Sequence, residues 1–181
     1  MKLILTTLIS IFMVTTAFSQ IGVKGGFSLG DRINTNQGLY YGFDIGVTYD
    51  ITESIRTEIL FEGLFKKENI FTFGNTNYNV HYRILPITVG ADYRFLEGKL
   101  KPFVGINMGI VSLAAKANQG DYQGDSYFGL YPKAGIDYAI TDNILLDLTL
   151  KYLVAFSGNN QNNNSNTQVF GANISLKYVF N

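Results

Sequence analysis

The stretch Ile144-Leu145-Leu146-Asp147-Leu148-Thr149-Leu150-Lys151-Tyr152-Leu153-Val154-Ala155-Phe156 is two sequences woven together. Its even positions read Ile144, Leu146, Leu148, Leu150, Tyr152, Val154 and Phe156, and among the odd positions are Asp147, Thr149 and Lys151. The last segment repeats the pattern: Phe170, Ala172, Ile174, Leu176, Tyr178 and Phe180 alternate with Gly171, Asn173, Ser175 and Lys177. A period of two places each set on its own face of an extended strand. One face is apolar and aromatic, and the other is polar, charged or bare glycine. That combination marks a strand with lipid on one side and a polar interior on the other.

Followed outward from this stretch, the alternation gives eight segments, at 22–30, 38–51, 54–67, 79–95, 100–116, 126–140, 143–157 and 167–180. Each is long enough for the roughly 9–11 tilted residues with which a strand crosses a bilayer. The connections differ in kind. Asp50 to Glu53, Leu96 to Lys99 and Thr141-Asp142 are tight, whereas Asp31 to Gln37, Glu68 to Tyr78, Ala117 to Asp125 and Gly158 to Asn166 are longer and polar. Short turns at one end and long loops at the other are expected of an eight-stranded antiparallel up-and-down transmembrane β-barrel, the short set being periplasmic. The Asn-rich tract at 159–166 reads as a loop without a site.

The N-terminus reads as a secretory signal over residues 1–19. Lys2 supplies the positive charge, Leu3 to Val14 a short apolar run and Ala17-Phe18-Ser19 a small-x-small cleavage site. Cleavage near Ser19/Gln20 would release a single barrel domain over residues 20–181 into a disulfide-permissive compartment. The chain has no cysteine, so neither a disulfide framework nor a thiolate metal site is available. Formal net charge is zero, which argues against a nucleic-acid partner. No metal or cofactor is expected.

Parity assigns the faces. The outward set includes Tyr41, Phe43, Ile45, Val47, Leu85, Ile87, Val89, Phe128, Leu130 and Ile136. The opposite set holds Lys24, Asp44, Arg56, Glu58, Glu62, Asp92, Arg94, Lys133, Asp137, Asp147, Lys151 and Lys177, and most in-strand glycines. Glycine on a water-facing surface would weaken a strand for no return, whereas inside a narrow barrel it leaves room for long side chains. Six acids and six bases balance in this set, as an enclosed polar interior requires. Eight strands leave an interior that side chains fill, so a connected lumen charge network is expected in place of an open pore. The repeats Gly46-Val47-Thr48-Tyr49, Gly90-Ala91-Asp92-Tyr93 and Gly135-Ile136-Asp137-Tyr138 close even-numbered strands before the short turns. With Phe95, Tyr178 and Phe180, the tyrosines Tyr49, Tyr93 and Tyr138 are expected to form an interfacial aromatic girdle.

Ile21 to Ser28 (IGVKGGFS), Ile84-Leu85-Pro86-Ile87 and the closing Leu176-Lys177-Tyr178-Val179-Phe180 resemble the small, porin-like outer-membrane β-barrel family common in Bacteroidetes. The architecture is similar to that of OmpA and OmpX transmembrane domains. The resemblance covers the mature chain, is specific to architecture and implies residence in the outer membrane of a Gram-negative bacterium. It implies outer-membrane lipid and lipopolysaccharide as surroundings, a monomer, and recognition of the C-terminal strand by the barrel-assembly machinery. Asn181 follows the final aromatic, a departure from a terminal Phe.

Candidate chemistry is sparse. His81 is the single histidine, and Ser112 shares outward parity on the next segment. A His–Ser pair at the membrane rim is similar to that of barrel-type lipid A deacylases, in which histidine activates serine. Those enzymes carry the pair on one strand, where this chain has His81-Tyr82-Arg83. Glu58 and Glu62 lie among cations and read as structural partners. The expected function is therefore a non-enzymatic outer-membrane barrel with a plugged polar lumen, acting in membrane integrity or through its extracellular loops. The alternative is a small porin or solute channel, and a more remote one is a lipid A-modifying hydrolase.

Overall fold

The computed structural model describes residues 20–33, 38–73, 76–96, 98–117, 120–156 and 166–180. The segment read as a signal sequence and the Asn-rich tract 159–165 lie outside the described residues. Eight strands follow one another: β1 (Gln20–Arg32), β2 (Leu39–Asp50), β3 (Ile55–Phe73), β4 (Thr76–Arg94), β5 (Leu100–Ala117), β6 (Gln123–Ala139), β7 (Ile144–Phe156) and β8 (Thr167–Phe180). Each pairs antiparallel with its neighbour, and β8 returns to β1 to close the barrel. The closing seam runs in register from Ile21 opposite Phe180 to Arg32 opposite Val169. Closure leaves no unpaired sheet edge, which a membrane requires because lipid offers no hydrogen bonds to a bare backbone.

The chain is inside out relative to a soluble barrel. Ile45, Ile59, Ile87 and Ile110 are 58–61% exposed, whereas Asp44, Arg56, Asp137 and Asp147 are fully buried. A water-soluble fold would reverse that order. The outward band is lipid-facing, and the fold is a transmembrane β-barrel.

The expected loop from Glu68 to Tyr78 is corrected by the structure. β3 continues to Phe73 and β4 resumes at Thr76, so the hairpin extends as a two-stranded ribbon, with a register shift between Asn69 and Phe71. The ladder does not end where the lipid pattern ends, because the paired backbone continues to satisfy its own hydrogen bonds. β6 likewise starts at Gln123, inside the expected loop from Ala117 to Asp125. At the opposite end the connections are tight. Gly98 turns one of them with φ of 105°, a conformation that disfavours any side chain.

Candidate functional site

The lumen is built in layers, each positioned by strand parity. At the short-turn end, Arg94 donates to Asp50 at 2.9 Å and to the Thr52 carbonyl at 3.1 Å. Above it lies a chain of contacts that crosses the barrel. Lys24 of β1 meets Glu58 of β3 at 2.9 Å. Glu58 also pairs with Lys133 of β6, whose ammonium reaches Asp92 of β4 at 2.8 Å. Asp92 accepts from Arg56 Nε at 2.9 Å and from its Nη2 at 2.7 Å. Arg56 Nη1 donates to Asp137 at 2.5 Å, and Asp137 receives Lys177 of β8 at 2.6 Å. Asp147 of β7 stands 3.9 Å from Lys24 and 4.0 Å from Arg56, and accepts from Thr149 at 2.6 Å. These four cations and four carboxylates sum to zero charge. Arg56 also lies over the Phe103 ring, 4.8 Å from its centroid.

Glycine makes this crowding possible at two positions. A Cβ on Gly105 would collide with the Asp92 carboxylate, and one on Gly90 would collide with the Asn107 amide. Asn107 is thereby free to donate to Glu58 at 2.7 Å and to Thr88 at 3.3 Å.

Toward the long-loop end the network thins. Lys151 pairs with Glu62. Asp44 accepts from Ser28 at 3.2 Å and Ser175 at 2.8 Å, and among the described residues no cation lies within 4 Å of it. The parity count balanced six acids against six bases, but Arg94 is engaged by Asp50, a carboxylate outside that count. Asp44 is left as the unbalanced charge.

Above Glu62 the interior becomes apolar. Tyr40, Leu64, Ile84, Val111, Tyr131, Leu153, Ala155 and Val169 form one buried cluster, joined by Tyr82, Leu113 and Tyr127. Sequence reading missed this cap. Its signal was the unbroken run Tyr152-Leu153-Val154-Ala155-Phe156, where alternation lapses because both faces are apolar.

The aromatic positions Tyr49, Tyr93, Phe95, Tyr138, Tyr178 and Phe180 lie at the short-turn end. Tyr49, Tyr93, Tyr138 and Tyr178 stand opposite Ile21, Ile55, Leu100 and Ile144, near the starts of the neighbouring strands. Tyr93 packs edge-on against Phe95 at 5.3 Å, and Tyr178 against Phe180 at 5.0 Å. His81 and Ser112 are not brought together. His81 is opposite Lys116, and Ser112 is opposite Leu85. The four-residue offset from His81 to Leu85 corresponds to about 13 Å along the strand. The geometry does not form a His–Ser nucleophile pair, and among the described residues no cluster of His, Asp and Glu is arranged to hold a metal ion.

Residues 5–180 match the family model described as outer membrane protein beta-barrel domain. The attachment invasion locus protein Ail of Yersinia pestis, in a structure with the heparin analogue sucrose octasulfate, is 15% identical. It aligns over 90% of this chain and 97% of its own, with a TM-score of 0.59. OprG from Pseudomonas aeruginosa is 14% identical, with 90% and 96% coverage and a TM-score of 0.57. Neisserial surface protein A is 16% identical, with 89% and 95% coverage and a TM-score of 0.53. At these identities the likeness is one of fold. No curated protein sequence matches the chain.

Proposed function

The chain belongs to the outer membrane protein β-barrel domain family, and from that premise we propose a non-enzymatic, monomeric barrel whose lumen is plugged and whose work lies in membrane integrity or in its extracellular ends. The observation that carries this reading is the neutral eight-membered ion network beneath an apolar cap. Solutes would have to break buried ion pairs that cost several kcal/mol to strip of partners, and then cross a buried cluster of Leu, Ile, Val, Ala and Tyr. Export by a cleaved leader and assembly through the β8 strand belong to the same proposal.

Planar-bilayer recording of the purified barrel tests it. The expected record shows no steady conductance. A stable open current would favour the solute-channel reading. Heat-modifiable migration on unboiled gels checks the closed barrel independently. The hydrolase reading draws little support, since His81 and Ser112 occupy different register positions.

A further inference from the structure

The outward face of β3, β4 and β5 carries a basic row at its long-loop end. Lys67 is the register partner of His81, and His81 is the register partner of Lys116, so three nitrogen-bearing side chains share adjacent positions on one face. Two residues toward the membrane, Arg83 stacks on Tyr122 with its guanidinium carbon 4.0 Å from the ring centroid. The Lys116 ammonium approaches the same ring at 4.9 Å. Among the described residues none of the four basic side chains has a carboxylate partner, and Arg83 Nε is buried with no hydrogen-bond acceptor. The segments 34–37, 74–75, 118–119 and 157–165 contain no Asp or Glu that could supply one. Lys67, Arg83 and Lys116 thus gather three positive charges around His81 with no carboxylate partner among the described residues, so the row is poised for an anion.

Its height identifies the kind of anion. Tyr93 belongs to the aromatic ring at the other end of β4, ten residues before which comes Arg83. At ~3.3 Å per residue and a tilt of ~40°, that span rises about 25 Å, the height of the apolar band of an outer-membrane barrel. Below Arg83 on the same face come Leu85, Ile87 and Val89. The row therefore stands where the acyl chains of the outer leaflet give way to headgroups.

We propose that Lys67, His81, Arg83 and Lys116 form a binding site for a phosphate-bearing lipid headgroup of the outer leaflet, with Tyr122 holding Arg83 and Lys116 toward it. The proposal rests on the membrane-barrel reading. Cationic side chains at a membrane surface each add attraction to anionic lipid, and Arg adds planar hydrogen-bonding to phosphate oxygens.

Native mass spectrometry from neutral detergent tests the site, with lipid A, dephosphorylated lipid A and inorganic phosphate as probes. The wild-type barrel should retain lipid A about tenfold better than its dephosphorylated form, and Lys67→Gln/Lys116→Gln should abolish that preference. Lys99→Gln, at the opposite rim, should preserve it. Equal retention of both lipids by the wild type, or an unchanged preference in the double variant, overturns the proposal. Complete displacement of lipid A by millimolar inorganic phosphate also overturns it, because the site would then bind free anions. Heat-modifiable migration is recorded for every sample. Its absence in the wild type would refute the membrane barrel itself. If only the double variant loses it, the exposed single substitution Lys67→Gln decides the site, by weakening the preference or leaving it intact.

Discussion

Lys24 on β1 and Lys177 on β8 are register partners at the seam that closes the barrel, two buried lysines side by side in the wall. The same juxtaposition recurs around the wall. Lys133 stands opposite Lys151, Asp137 opposite Asp147, and Asp44 opposite Glu62. Like charges directly opposite destabilise a strand pair, so much of this network cannot be assembled between neighbours. Each lysine finds its carboxylate across the lumen, Lys24 and Lys133 on Glu58, Lys151 on Glu62 and Lys177 on Asp137. Arg56 and Asp92 are the exception, bonded as register partners. Any partly closed sheet therefore carries repulsion that the complete barrel relieves.

Glu58 is the most heavily engaged carboxylate, and its loss is expected to be the costliest. Glu58→Gln leaves Lys24 and Lys133 without their shared anion, which should destabilise the barrel by about 3–5 kcal/mol in urea unfolding from lipid vesicles. Asp44→Asn removes a charge that, among the described residues, has no cation within 4 Å, while an amide can still bond the two serines. Its stability should lie within about 1 kcal/mol of wild type. A small cost for Glu58→Gln would show that water reaches the network.

Glycine substitutions separate lumen from lipid face. Gly105→Ala forces a methyl against Asp92 and the Ala91 carbonyl, and should cost about 1–3 kcal/mol. At Gly25, which faces outward, an added Cβ comes no nearer than 3.7 Å to the Asp44 carbonyl oxygen. Gly25→Ala should therefore change stability by only about 0.5 kcal/mol. The same unfolding assay distinguishes them.

Leu148 sits on the outward wall, 43% exposed. Leu148→Arg should cost about 2–4 kcal/mol in vesicles if the position lies at mid-membrane depth. A neutral result there, combined with a stabilising Glu58→Gln, would mean that the faces are reversed.

The register of His81 predicts an inert rim in chemical terms. Lipid A mass spectra from cells carrying His81→Ala or Ser112→Ala, or lacking the chain, should match those of the parent. A missing acyl chain that reappears on either substitution would revive the hydrolase reading.

The fold was legible because lipid imposes a period of two on every strand it touches, and in stretches such as 144–151 no other force competes with that pattern. Legibility ended where the constraint ends. The stretch Glu68 to Tyr78 breaks the period of two in the sequence, so it reads as a loop although its backbone pairs as far as Phe73 opposite Thr76. The apolar cap was equally hidden, since Leu64, Ile84 and Val111 each look like an ordinary lapse in alternation until closure gathers them.

By itself the sequence determined that the chain is an eight-stranded barrel with charges on one face of each strand and apolar groups on the other, because parity is a local property of extended backbone. Only the tertiary structure decided which charges meet. Glu58 and Lys133 are 75 positions apart and share no strand pair; their contact exists because closing the sheet at Lys24 and Lys177 points both into one narrow space. Arg94 pairs with Asp50 at the short-turn end of the lumen instead of joining the eight-membered network for the same reason. Partner choice depends on height and distance across the lumen, and those distances arise only on closure.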